Sequence, residues 1–142
     1  MITEKDYCDK DLSATLIEMG FSGFGHFYYE KDSSRLKATH KFLTVRTAKA
    51  LDHTLAVSLY EAQKFLMEEK EVYVTVIPEY NEFRPVKGVK YRLEVTHWKD
   101  DEFGYETIEW LEDEHIVILF DYCEEALLEG IKEAIKILKM KN

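Results

Sequence analysis

The sequence predicts an α+β fold: an antiparallel sheet, made of a hairpin plus a three- or four-stranded meander, with about three helices packed on one face. Three observations carry this. Apolar side chains recur every third or fourth residue near both ends of the chain and after Ser58, and every second residue from Val72 to Val95. The strand-like runs follow one another as hairpins rather than alternating with crossover helices, which sets an antiparallel sheet against a parallel one. The chain has 142 residues, 46% of them hydrophobic, enough for one compact core, so 1–142 reads as a single globular domain. With only 6 Gly and 2 Pro, collagen-like and wholly disordered readings fail.

The first helix spans about residues 10 to 19 and can be argued from its ends. Asp9 is a good N-cap, Gly20 suits a left-handed stop, and Leu12, Leu16 and Met19 share one stripe. Phe21, just past the glycine, should fold back onto Leu16. After the turn Phe21–Gly25, the segments His26–Glu30 and Leu36–His40 flank the polar cluster Lys31–Ser34 and read as a hairpin. Residues 41 to 57 mix two signals: Phe42, Leu43 and Val45 suggest a strand, while Ala48, Leu51 and Leu55 sit at helical spacing. We expect a strand followed by a loop.

Ser58 and Glu61 form a capping box, with Leu59, Ala62, Phe65 and Leu66 facing inward on the helix behind it. Val72, Val74 and Val76 then alternate with Tyr73, Thr75 and Ile77, and Pro78 should end that strand by removing a ladder donor. Pro85 and Gly88 mark the next connection. Val89, Tyr91, Leu93 and Val95 fall on one face of the clearest strand in the chain, and Tyr105–Leu111 and His115–Phe120 supply two more. A second capping box, Asp121 with Glu124, starts the last helix, whose stripe is Leu127, Ile131, Ala134, Ile135 and Leu138. Its Glu residues come early and its Lys residues late, the order the helix dipole favours.

Composition also bounds function. The 19 Lys and Arg against 28 Asp and Glu give a net charge of -9, which opposes general binding to nucleic acid or to anionic lipid. No run of apolar residues is long enough to cross a membrane. Met1–Lys10 carries Glu4, Asp6 and Asp9 where a signal peptide needs basic and then apolar residues, so a cytoplasmic location is expected. Cys8 and Cys123 are too far apart for a zinc spacing and read as reduced, buried thiols.

The sequence carries no recognisable catalytic set and no cofactor motif, which inclines the reading away from an enzyme. There is no P-loop. The glycines at 20, 23 and 25 run from a helix end into a strand, the reverse of a phosphate cradle, and Phe24 breaks the nucleophile-elbow pattern around Ser22. His26, His40, His53, His97 and His115 never form HxH or HExxH, so no metal site is expected. The nearest approach to one would join His97 and His115 with Asp100 or Glu112. Cys123 at a helix start would gain nucleophilicity from the dipole, but Glu124 and Glu125 oppose its thiolate.

Charge is unevenly spread. Eight carboxylates (Asp100, Asp101, Glu102, Glu106, Glu109, Glu112, Asp113, Glu114) fill residues 100 to 114 without a Lys or Arg. Residues 31 to 50 carry Lys31, Arg35, Lys37, Lys41, Arg46 and Lys49 against Asp32 alone. The acidic face suits a basic protein partner, with imitation of DNA phosphates as one form of it. The basic patch suits either that acidic run, within one chain or between copies of a homo-oligomer, or a nucleic acid stacked on Tyr28, Tyr29 or Phe42.

Three stretches resemble short uncharacterised proteins of Bacteroides-type gut bacteria, their phages and mobile elements. These are Leu16–Phe21 (LIEMGF), Ser58–Val76 (SLYEAQKFLMEEKEVYVTV) and Tyr122–Leu138 (YCEEALLEGIKEAIKIL), together about a third of the chain. The matches are helix starts, stops and stripes, so they transfer no functional residue. The resemblance implies an accessory role in a phage or mobile-element setting. The leading expectation is therefore a small non-enzymatic protein-interaction module that engages or inhibits its partner through the acidic face. The second is a small-ligand binder or enzyme with a pocket between Phe27–Tyr29 and the meander carrying His97 and Trp98. The third is nucleic-acid binding through Lys31–Lys49.

Overall fold

The structure, a computed structural model, describes residues 4–79, 89–99, 104–109 and 118–140. The fold is α+β with every described strand pair antiparallel, as the sequence predicts. The described strands divide between two sheets, and the chain forms two compact units, Met1–Ala62 and Gln63–Asn142. No helix among the described residues is long and apolar enough to cross a membrane.

In the first unit, helix α1 (Lys10–Glu18) starts where Asp9 accepts the N–H of Leu12 at 2.8 Å. It stops in the paired bonds of a Schellman motif: the Gly20 N–H reaches the Ile17 carbonyl and the Phe21 N–H the Leu16 carbonyl, both at 3.0 Å. Gly20 takes the required left-handed conformation, φ 107°. Leu16 and Phe21 are both buried. Strands β1 (Phe24–Glu30) and β2 (Leu36–Thr44) then form the hairpin.

Residues 41 to 57 depart from the expected strand and loop. Strand β2 continues to Thr44, helix α2 (Val45–Ala50) follows, and strand β3 (His53–Leu55) pairs with the other edge of β1, giving the order β2-β1-β3. The reason is a cap. The Thr44 side chain accepts the Thr47 N–H at 3.1 Å, and the Thr47 hydroxyl accepts the Thr44 N–H at 2.7 Å, so one turn of helix starts without acidic residues. Asp52, at φ 58°, turns the chain out of α2 and into β3.

A buried polar network holds these short elements in place. The Ser13 hydroxyl, wholly buried on α1, donates to the Cys8 carbonyl at 3.3 Å and accepts the Val57 N–H at 3.1 Å. The Tyr29 hydroxyl donates to the same Cys8 carbonyl at 2.6 Å, and the Cys8 N–H donates to the Val57 carbonyl at 2.8 Å. At the far end of β1, the Lys10 ammonium donates to the carbonyls of Glu30 and Lys31. Each bond satisfies a backbone group that an irregular sheet edge leaves without a ladder partner.

Helix α3 (Leu59–Lys70) begins in the first unit, and the boundary between units falls inside it. Its predicted inward residues, Leu59, Ala62, Phe65 and Leu66, are all buried. The capping box differs in one bond. Ser58 accepts the Glu61 N–H at 3.1 Å as expected, but the Glu61 carboxylate accepts the Ser58 hydroxyl proton, at 3.0 Å, where the box called for the backbone N–H.

The second unit is built on β4 (Val72–Glu79) and β5 (Lys90–Lys99), paired over their whole length. Strands β6 (Gly104–Glu109) and β7 (Leu119–Phe120) both pair with β5, at opposite ends of it. Pro78 does not end β4, which runs on to Glu79. The strand lies at the sheet edge, where alternate N–H groups point away from the neighbouring strand and a proline costs no ladder bond. The loop with Pro85 and Gly88 lies outside the described residues.

Helix α4 (Cys123–Met140) packs on β4 and β5. Its buried face is Ala126, Gly130, Ile131, Ala134, Ile135 and Ile137, while Leu127 and Leu138 of the predicted stripe are half-buried. Opposite it, Val72, Val74, Leu93 and Val95 are buried. Gly130 sets the approach, because a Cβ there would meet Leu93 Cδ1 at 2.7 Å and Val74 Cγ1 closer still. The predicted Asp121 cap is displaced. The helix starts one position later, with the Ala126 N–H bonded to the Tyr122 carbonyl, and the Asp121 carboxylate pairs with Lys90.

Candidate functional site

The basic patch lies along the hairpin and α2. Lys31 and Arg35 are exposed in and after the β1–β2 turn, Lys41 is exposed on β2, and Arg46 and Lys49 are exposed on α2. Lys37 differs, since it pairs with Glu30 at 3.0 Å.

A wide bulge interrupts the hairpin. Gly25 faces Leu43 and Phe27 faces Ala38, so the four β2 residues Thr39–Phe42 lie opposite His26 alone. His26 closes the gap by donating from Nδ1 to the Lys41 carbonyl at 2.9 Å, while the Lys41 N–H donates to the Thr39 hydroxyl at 3.1 Å. The bulge throws Phe42 outward against Phe24, with ring centroids 4.8 Å apart, and the His26 ring meets Phe42 edge-on at 5.9 Å. Phe24 and Phe42 nevertheless remain 64% and 58% exposed. Bulges and lysines are the usual protection of an edge strand against added strands, so this edge offers side chains rather than a free ladder. Of the stacking candidates Tyr28, Tyr29 and Phe42, Tyr29 is buried with its hydroxyl on the Cys8 carbonyl, whereas Phe42 is exposed and packs with Phe24 and His26, which carry no signal in the sequence. These last three meet only because of the bulge, which no local pattern announces.

A second feature lies among α1, α2 and β3, a pocket of 230 Å³. Its apolar lining is Ala14, Ile17, Val45 and Leu55, continuous with the small core of Leu43, Ala48 and Leu55. Its polar lining is Glu18, Lys49, His53 and Thr54. The His53 ring stacks on Tyr28 with centroids 4.4 Å apart, and its Nδ1 is buried with no hydrogen-bond partner among the described residues. An N–H buried there without an acceptor would be costly, so in the neutral ring the proton is assigned to Nε2. Both pocket lining and core belong to the first unit, whereas the pocket expected from sequence drew on Phe27–Tyr29 of the first unit and His97 and Trp98 of the second.

The acidic face lies largely beyond what the structure describes: Asp100, Asp101, Glu102, Glu112, Asp113 and Glu114 are outside the described residues. Glu106 and Glu109 occupy β6, in register with His97 and Glu94 of β5. Of the loose ligand set of His97 and His115 with Asp100 or Glu112, the structure describes His97 alone. His97 is buried, and its three suggested companions are outside the described residues.

The two thiols differ, which corrects the expectation that both are buried. Cys8 is buried, and the loss of solvation pushes its pKa up to about 12. Cys123 is exposed, because it opens α4 one turn before the buried face begins at Ala126. Its pKa is raised by partial burial and then by Glu124, so the helix dipole does not make it a ready nucleophile. Comparison of the chain with protein-family models, with curated proteins and with solved structures finds no match.

Proposed function

We propose that this chain is a non-enzymatic protein-interaction module whose principal contact surface is the β1–β2 hairpin. One observation carries the reading: Phe24 and Phe42 are paired with each other, yet more than half of each is left in water, beside the exposed Lys41. Large aromatic rings exposed side by side are typical anchors of an interface. Lys31, Arg35, Lys41 and Arg46 select the partner's chemistry, an acidic protein surface with an apolar centre. In this reading the acidic run from Asp100 to Glu114 is a second surface, suited to a basic partner or to another copy. The setting is the one the resemblance implies, an accessory role in the cytoplasm of a cell carrying a phage or mobile element.

The test places a photo-crosslinking amino acid at Phe42 and, as control, at the exposed Glu68. A discrete acidic protein captured from Phe42 alone is expected. Phe24→Ala should weaken its binding by roughly 10- to 30-fold, the share of a single aromatic anchor. Lys41→Glu with Arg46→Glu should slow association, with a strong dependence on salt. Equal capture from both positions would overturn the reading. Exposed rings beside cations also suit single-stranded nucleic acid, and tight binding of an oligo-dT strand by the unaltered protein would replace the protein partner with that ligand.

A further inference from the structure

We propose that the pocket among α1, α2 and β3 binds a small zwitterion with a branched aliphatic body, in its simplest form a free α-amino acid of leucine size. Size comes first. The 230 Å³ of the pocket falls below the usual range for drug-sized ligands and suits a molecule of about nine heavy atoms.

The lining then specifies the chemistry. Ile17, Val45 and Leu55 offer an apolar wall to a hydrocarbon side chain. Lys49 on α2 and Glu18 on α1 place one positive and one negative group at the same recess, and neither is ion-paired with a described residue. A ligand with a single charge would meet one of them favourably and the other unfavourably. A zwitterion satisfies both, its carboxylate at the Lys49 ammonium and its ammonium at the Glu18 carboxylate. His53 also lines the recess, and in the tautomer that leaves its buried, unpartnered Nδ1 without a proton its Nε2 is an N–H donor. The stack on Tyr28 fixes that ring in place before any ligand arrives.

The experiment titrates the full-length ¹⁵N-labelled protein with three probes that share one branched body: L-leucine, 4-methylpentanoate, which lacks the ammonium, and 3-methylbutylamine, which lacks the carboxylate. Saturable amide shifts at Glu18, Lys49, Thr54 and Leu55 are expected with leucine, and binding at least about tenfold weaker with each of the other two. Lys49→Met and Glu18→Gln, both at exposed positions, should each weaken leucine by a similar factor while leaving shifts in β4 and β5 unchanged. Absence of saturable shifts at the lining with leucine would overturn the proposal. So would equal binding of leucine and 4-methylpentanoate, or indifference to both substitutions.

Discussion

Ser13 in the first unit and Gly130 in the second both sit on the buried face of a helix, for opposite reasons. Ser13 is there for its oxygen, which joins α1 to the Cys8 carbonyl and the Val57 N–H. Gly130 is there because it has no side chain, which lets α4 close on Val74 and Leu93. The contrast extends to each unit. The second relies on repetition, with valines at alternate positions under a long amphipathic helix. The first, with a bulged hairpin, a six-residue helix and a three-residue strand, relies on individually placed polar bonds. Charge follows the same division: residues 1–62 hold eight Lys and Arg against nine Asp and Glu, a net of -1, and residues 63–142 hold eleven against nineteen, a net of -8. Continuous apolar faces specify a helix on a sheet, whereas short irregular elements need directional bonds to choose one arrangement.

The largest expected effect tests the close approach in the second unit. Gly130→Leu should cost about 3 kcal/mol or more, because a branched side chain has no room against Val74 and Leu93. Gly130→Ala is the sharper case. It gains about 1 kcal/mol of helix propensity but forces a contact whose cost is about 1 to 3 kcal/mol, so a net loss is expected in denaturant unfolding. A gain in stability would mean the sheet yields and the glycine is not required.

Ser13→Ala tests the other kind of construction. It leaves the Val57 N–H buried without its acceptor, at a cost of about 1 to 3 kcal/mol. The buried Cys8 thiol reports the loss directly, since it can be modified only when the first unit opens. Its labelling should accelerate roughly 5- to 100-fold, while the exposed Cys123 is labelled at the same rate in both proteins. Unchanged Cys8 labelling would show that the network is dispensable.

Alkaline pH should weaken the first unit for a related reason. Burial holds the protons of Cys8 and Tyr29 up to about 12, against ordinary values of 9.0 and 10.0. Both folded values are raised, so the stability they contribute is present below the ordinary values and is lost as pH rises from about 9 towards 12. Tyr29→Phe removes one of the two groups. The decline of stability between pH 10 and 12 should become shallower by up to about 1.4 kcal/mol per pH unit, measured by denaturant unfolding.

The smallest expected effect concerns the backbone. Glu71, between α3 and β4, is left-handed at φ 55°. Glu71→Gly should stabilise by up to about 1 kcal/mol, strain relief outweighing the added freedom of the unfolded chain. A lower melting temperature would contradict this.

The same division separates what was legible in the sequence from what was not. Val72, Val74, Leu93 and Val95 announced themselves by alternation, and Asp9 and Gly20 marked α1 by their chemistry. Thr44 and Thr47 were less legible because a Thr–Thr cap is weaker as a pattern than Ser–Glu, and the helix it starts lasts less than two turns. Lys49 was singled out for its charge. Its companions at the pocket, Glu18 and His53, come from separate elements and carry no shared spacing. Ser13 gave no sign at all, since a serine between Leu12 and Ala14 looks the same whether its hydroxyl is buried or in water.

By itself the sequence determined the α+β class, the ends of α1, the inward face of α3, the Ile131, Ala134 and Ile135 part of that of α4, and the pairing partners β4 and β5, all properties that local periodicity and capping express over a few residues. Only the tertiary structure decided that the strands form two sheets, that a bulge brings Phe24, His26 and Phe42 together, and that Glu18, Lys49 and His53 share one pocket. These depend on contacts between residues far apart in the chain, where the energy lies in shape and in individual polar bonds rather than in any repeat.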